Sequence, residues 1–162
     1  MIEIKELHKS FDGIPILNNI STKFDQGKTN LIIGQSGSGK TVLLKCLLGL
    51  HQPDTGEVLY DGISNNKMNE NQKTLLRREM GMVFQGSALF DSMSVLENVM
   101  FPMKMLTNKN EDEIIERSQN VIKRVELNKA ENKLPSELSG GMQKRVAIAR
   151  AIVMNPKYLF CD

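Results

Sequence analysis

Apolar positions recur along this chain with two different periods, and the switch from one to the other divides it. Ile2 and Ile4 alternate with Glu3 and Lys5, which predicts a strand over Ile2–Leu7. Ile20–Phe24 reads as a second strand, and Phe11-Asp12-Gly13 supplies the turn between them. Thr29–Ile33 closes on the continuous apolar run Leu31-Ile32-Ile33, the pattern of a buried strand. Val42-Leu43-Leu44-Lys45-Cys46-Leu47-Leu48 predicts a helix ending near Gly49. Gln52-Pro53-Asp54-Thr55-Gly56 is a turn, Glu57–Tyr60 a short strand closed by Asp61-Gly62, and Asn65–Asn71 a polar loop. Gln72–Glu79 predicts a helix, and Met80–Phe84 a strand that ends at Gln85.

Beyond Gln85 the period is helical. Ser94 is placed to cap Val95–Lys104, with Pro102 near the end. Asn110 precedes Glu111-Asp112-Glu113, a cap and three acids where the helix dipole favours them. Ile114, Ile115, Val121, Ile122 and Val125 then recur at helical spacing, while Glu116, Arg117, Lys123 and Arg124 occupy a solvated face. Leu134–Glu137 is a linker, and Ser139 begins a helix running to about Met154. Pro156 separates that helix from a last strand, Tyr158–Asp162.

Bulk properties narrow the class. The chain has 162 residues, 40% apolar and 25% charged, which suits one globular domain with a real core. A net charge of +2 provides no electrostatic footprint for nucleic acid or an anionic membrane. The longest apolar run, Val42–Leu50, is interrupted by Lys45 and is too short to cross a bilayer. The N-terminus has neither the basic nor the apolar region of a signal peptide. Cys46 and Cys161 lie in a helix and a strand that are both expected to be buried, so both read as reduced core thiols. His8 and His51 stand alone in polar segments and read as surface residues.

The chemistry begins at Gly34-Gln35-Ser36-Gly37-Ser38-Gly39-Lys40-Thr41, a P-loop pattern placed between a predicted strand and a predicted helix that opens at Val42. Glycines let the backbone curl and aim several N–H groups at one anion, and the helix adds positive potential at its N-terminus. Lys40 would bridge the β- and γ-phosphates, and the Thr41 hydroxyl would hold Mg²⁺. A second candidate phosphate surface is Leu138-Ser139-Gly140-Gly141-Met142-Gln143, a serine cap and two glycines at a helix N-terminus. By itself this could be only a helix start after a loop. A third is Tyr158-Leu159-Phe160-Cys161-Asp162, an apolar strand whose terminal carboxylate can face Mg²⁺.

These three motifs, in this order, resemble the ATP-binding cassette (ABC) family over the whole chain. The resemblance implies an α/β P-loop NTPase core with an N-terminal antiparallel β-subdomain and an inserted α-helical subdomain. Residues 1–85 and 155–162 would form the core, and residues 86–154 the helical part. Gly34–Thr41 then looks like Walker A, with Val42 completing the nucleotide contacts, and Leu138–Gln143 like the signature that caps ATP held by a partner subunit. Gln85 looks like the Q-loop glutamine, a contact for Mg²⁺ and water, and Asp162 like the Walker B aspartate. Phe11 resembles the aromatic that stacks on adenine, its alternative being a core phenylalanine.

The family's catalytic glutamate follows the Walker B aspartate, and its D-loop and switch histidine lie further on. The resemblance therefore places the C-terminal part of the core beyond Asp162. On that expectation the 162 residues alone bind nucleotide weakly and turn over little, whereas a full-length form hydrolyses ATP.

Phe84–Val99 and Gly141–Arg150 look like the corresponding stretches of Mla-type ATPases, which power phospholipid traffic in bacterial envelopes. That implies a homodimer of ATPase subunits on the cytoplasmic face of the inner membrane, an integral-membrane permease and an MCE-domain lipid-binding protein. Leu89, Phe90 and Met93 are candidates for the groove that receives the permease, or else pack the helical core. Three other readings stay open: an ABC motor for another cargo, a passive nucleotide-binding fragment, and a non-transport ABC protein. The last usually carries paired cassettes or long coiled-coil insertions, and neither occurs in this sequence.

Overall fold

A computed structural model describes residues 1–162, which divide into two compact units, Met1–Lys73 and Thr74–Asp162. The sequence reading instead divides the chain after Gln85 and returns 155–162 to the first part; here both parallel strands group with the helices.

The first unit is built on an antiparallel sheet of order β2-β1-β3-β4. Its strands are β1 (Ile2–Phe11), β2 (Ile14–Phe24), β3 (Thr55–Tyr60) and β4 (Ile63–Ser64). Asp12 and Gly13 both have positive φ, the geometry of a two-residue hairpin turn, and Phe11 pairs with Ile14 across it. Ile2, Ile4 and Leu7 are all buried although their spacing breaks the period of two. The ladder register shifts between Ile4 and Leu7, so the extra residue of a bulge returns Leu7 to the core face. Helix α1 (Lys40–Leu47) contributes Leu43, Leu44, Cys46 and Leu47 to this unit's buried side chains, and the Tyr60 hydroxyl donates to the Leu47 carbonyl. Burial pushes the Cys46 thiol pKa up, as befits an inert core thiol.

Asp54 ties the turn after α1 to β1. Its carboxylate accepts from Lys9 Nζ at 2.7 Å and from the Ser10 amide and hydroxyl, both at 2.6 Å. These donors, Lys9 first, hold the Asp54 pKa down at about 2.

Two expectations for buried strands are corrected. Thr29–Ile33 is not a strand, and Leu31 and Ile33 are 79% and 83% exposed. An apolar run supplies side chains for a parallel strand but cannot supply its ladder partner, and neither sheet pairs with these residues. Cys161 is exposed rather than buried. It lies on β6 (Tyr158–Cys161), where Phe160 is buried while Leu159 and Cys161 point the other way.

In the second unit β6 runs parallel to β5 (Met80–Val83), with Met80 opposite Tyr158 and Val83 opposite Cys161. Helix α2 (Glu70–Arg78) joins the units. Helices α3 (Val95–Leu106), α4 (Glu111–Arg124) and α5 (Gly140–Ile152) enclose the larger core, built from residues such as Val99, Val121, Ile122 and Val146. Their starts follow the sequence. Ser94 and Glu97 form a reciprocal capping box, and Asn110 accepts from the Glu113 amide at 2.8 Å. Gly81 has no room for a side chain, because a Cβ there would meet the Ala151 carbonyl and Pro156; α5 therefore packs directly on β5. No helix is long and apolar enough to cross a membrane.

Candidate nucleotide and signature sites

In the first unit, the loop before α1 is shaped by its own hydrogen bonds. The Ser38 amide donates to the Gln35 carbonyl at 3.2 Å, and Gly39 caps the helix in the left-handed region at φ 89°. A Cβ on Gly39 would also lie 3.0–3.1 Å from Ile16 and Leu17, so only glycine joins this turn to β2 without strain. Lys40 Nζ donates to the Gly34 and Gln35 carbonyls at 2.9 and 2.7 Å, which places the ammonium over the loop. A cation at a helix N-terminus, with loop amides beside it, suits a polyphosphate. Thr41 and Val42 follow in the first turn of α1.

Phe11 stands at the end of the hairpin, 40% exposed. Its ring meets His51 edge-on at 5.3 Å and carries Lys9 Nζ at 5.2 Å. It is an accessible aromatic at a strand end, not a core residue.

In the second unit, parallel pairing puts Gln85 and Asp162 at the same end of one small sheet. Val83 faces Cys161, the Asp162 amide donates to the Val83 carbonyl at 3.0 Å, and Gln85 follows two residues after Val83. Within this unit the Gln85 amide oxygen and the Asp162 carboxylate are oxygen ligands of the type Mg²⁺ prefers; in the first unit, considered by itself, the Thr41 hydroxyl is another.

Ser139 caps α5 by accepting from the Met142 amide at 3.3 Å. Nothing lies within 4 Å of where a Cβ on Gly140 or Gly141 would sit, so the helix start is open to an approaching ligand. Leu138 is buried in the helical core and Met142 packs partly against it. Gln143 donates to the Pro135 carbonyl at 2.9 Å, which fixes the loop before the cap.

Of the three candidate permease residues, Phe90 lines an apolar groove of about 250 Å³ with Met82, Phe84, Phe101, Leu106 and Met154. Leu89 packs against the helical core, and Met93 is half-buried beside the N-terminus of α3.

Two residues that hold this region were missed by sequence reasoning. Asn98 is fully buried; its side-chain amide donates to the carbonyls of Phe90, Met93 and Ser94 at 3.0–3.1 Å, and its oxygen accepts from the Phe90 amide at 2.9 Å. The signal was a polar residue on the same helix face as Val95 and Val99. Asn98→Ala is expected to cost about 3 kcal/mol, since buried carbonyls lose their partners. Urea unfolding would read this as a lower midpoint at unchanged slope. The second residue, Arg150, donates to the Ser87 and Ala88 carbonyls.

A glycine-rich loop that opens a helix, together with parallel strands leading to Gln85 and Asp162, is the arrangement of a P-loop NTPase. A family model described as "ABC transporter" matches residues 17–162, and the chain belongs to that family. It is similar to the "Probable ribonucleotide transport ATP-binding protein mkl" of Mycobacterium leprae (strain TN), 38% identical over 99% of this chain and 46% of the relative. It is 40% identical to the "Glutamine transport ATP-binding protein GlnQ" of Escherichia coli (strain K12), over 100% of this chain and 67% of that protein. The "Lipoprotein-releasing system ATP-binding protein LolD" of Buchnera aphidicola subsp. Schizaphis graminum (strain Sg) is 42% identical over 98% of this chain and 69% of its own length. The chain thus spans between about half and about two thirds of these relatives.

Among solved structures, a dimeric cassette titled "Dimeric Structure of MJ0796, a Bacterial ABC Transporter Cassette" superposes with a TM-score of 0.90 at 35% identity. The match covers 100% of this chain and 73% of that one. The same cassette "bound to ADP and Pi" in "a post-hydrolysis state" superposes at 0.89 with 34% identity and the same coverage. The fold is the ABC ATPase cassette fold.

Proposed function

We propose that this chain is the nucleotide-binding part of a transport ATPase that binds MgATP at Gly34–Val42. Lys40 over its glycine loop carries the reading. ATP is bound by the loop amides and the Lys40 ammonium, with Phe11 stacking on the base. Mg²⁺, when bound, neutralises phosphate charge; Thr41, Gln85 and Asp162 would hold it. The open start of α5, from Leu138 to Gln143, faces the ATP of a second copy, so two nucleotides join a homodimer. The dimeric cassette of the same fold and the dimer's "post-hydrolysis" form support this reading. Gln85 orients water and metal, and hydrolysis releases the pair.

The groove beside Phe90 receives a segment of an integral-membrane permease, which places the protein at the cytoplasmic face of a bacterial inner membrane. The proposed cargo is phospholipid, delivered with an MCE-domain partner; the likeness of Phe84–Val99 and Gly141–Arg150 to Mla-type ATPases supports it. The names of relatives favour a second reading, another cargo, since they include glutamine, ribonucleotide and lipoprotein transport.

The natural gene product, purified with its membrane partner and placed in liposomes, distinguishes these readings. Phospholipid is expected to raise ATP turnover several-fold, and mass spectrometry to find an MCE-domain protein. Stimulation by an amino acid or nucleotide instead, with a soluble binding protein co-purifying, would replace the lipid assignment.

A further inference from the structure

We propose that Arg150 is a positioning residue for Gln85, gripping from the signature helix the turn in which that glutamine sits. The inference rests on the role given to Gln85 above.

The connection can be followed atom by atom. Arg150 lies in the last turn of α5, roughly 16 Å along the helix from the Ser139 cap. Its Nη2 donates to the Ser87 carbonyl at 2.8 Å and its Nη1 to the Ala88 carbonyl at 2.7 Å. The Ser87 amide in turn donates to the Phe84 carbonyl at 3.0 Å, closing a turn with Gln85 in its second position. The guanidinium therefore holds the residue that closes the glutamine's own turn.

The held segment would not keep this shape unaided. Ser87 and Ala88 have φ of 63° and 45°, a region that costs a residue with a side chain free energy wherever surrounding structure does not enforce it. Enforcement comes from both ends. Arg150 is only 9% exposed, and its planar fork fits two adjacent carbonyls in a way a point charge does not. Its guanidinium also lies 5.8 Å from the Phe90 ring centre. From the other side Asn98 pins Phe90 and Met93 to α3. Between strand β5 and this clamped segment, Gln85 and Gly86 are exposed. A displacement of α5 is thus passed to Gln85 through two hydrogen bonds and one turn. The helix whose start would meet a partner's nucleotide also sets the position of the residue that would orient water.

The test is a double-substitution cycle in the natural gene product, assembled with its membrane partner and read as ATP turnover. Arg150→Lys is expected to lower kcat about tenfold with KM for ATP within about twofold, the signature of a contact that matters after binding. Gln85→Ala is expected to lower kcat at least as much. In the double variant kcat should stay within about twofold of Gln85→Ala alone, because Arg150 acts through that side chain. Losses that multiply would show a general stabilising role and overturn the proposal, as would wild-type kcat in Arg150→Lys. Wild-type turnover in Gln85→Ala would overturn the role of Gln85 itself, and with it this inference. If Arg150→Lys loses its thermal transition, Ala88→Val decides. That exposed position keeps both carbonyls, but a β-branched side chain resists its φ of 45° and displaces the turn, so kcat should fall several-fold in the wild-type background and not at all in Gln85→Ala. An equal fall in both backgrounds would overturn the proposal.

Discussion

Replacing Lys40 with alanine is expected to weaken MgATP binding at least 100-fold. The ammonium makes two short hydrogen bonds to loop carbonyls in the structure, so its position over the loop is already set. A charge-assisted contact contributes about 1.5–3 kcal/mol, and two phosphate contacts are lost together, which corresponds to about 100-fold or more in affinity. The fold should survive. The buried side chains of α1 are Leu43, Leu44, Cys46 and Leu47, none of which touches this change, so the melting temperature should move by only a few degrees. Isothermal calorimetry of ATP with Mg²⁺ on the natural gene product reads the affinity directly. Binding within threefold of wild type would remove the phosphate role of the loop and the functional reading built on it.

How far the sequence was legible depends on whether a feature is local. Helix starts were legible because a cap is local: Ser94, Asn110 and Ser139 each accept from the amide three residues on. The P-loop and the Ser-Gly-Gly start were legible for the same reason. Strand lengths were not. β1 continues to Phe11 and β2 begins at Ile14, because hairpin pairing recruits residues such as Lys9 and Ser10 that carry no apolar alternation. Leu31 and Ile33 show the reverse case, an apolar pattern without a ladder to join. Cys161 was misplaced because only one face of β6 is covered, the face of Phe160, while Leu159 and Cys161 lie on the other.

Asn98 and Arg150 were invisible as site residues for a different reason. Each acts on carbonyls of the segment that follows β5, and Arg150 reaches back 62 and 63 positions to do so. No spacing rule covers such a distance. What the sequence did carry was a conflict: a charge inside the apolar run from Val146 to Val153, and an amide on the core face of α3. A polar group on a face that should be apolar must be satisfied by something, and here the partner is the backbone between β5 and α3, from Ser87 to Ser94.

Substitution of Ser139 by arginine should separate nucleotide binding from subunit pairing. The serine hydroxyl serves the Met142 amide, and removing that cap costs α5 about 1 kcal/mol. This is too little to unfold a helix anchored by Val146, Ala147 and Ala149. The larger effect is steric and local. Gly140 and Gly141 leave the helix start bare, and a long side chain beside them fills the space where a second copy's nucleotide would dock. ATP affinity of the single subunit should stay within about twofold of wild type, because the P-loop is untouched. Light scattering after gel filtration with ATP should then show a monomer where wild type shows a dimer. Lys40→Ala should give a monomer too, but one that no longer binds ATP. That contrast distinguishes a surface that acts across a dimer from one that merely supports its own subunit. If Ser139→Arg dimerised normally with ATP, α5 would have no part in pairing, and the open helix start would be only a cap.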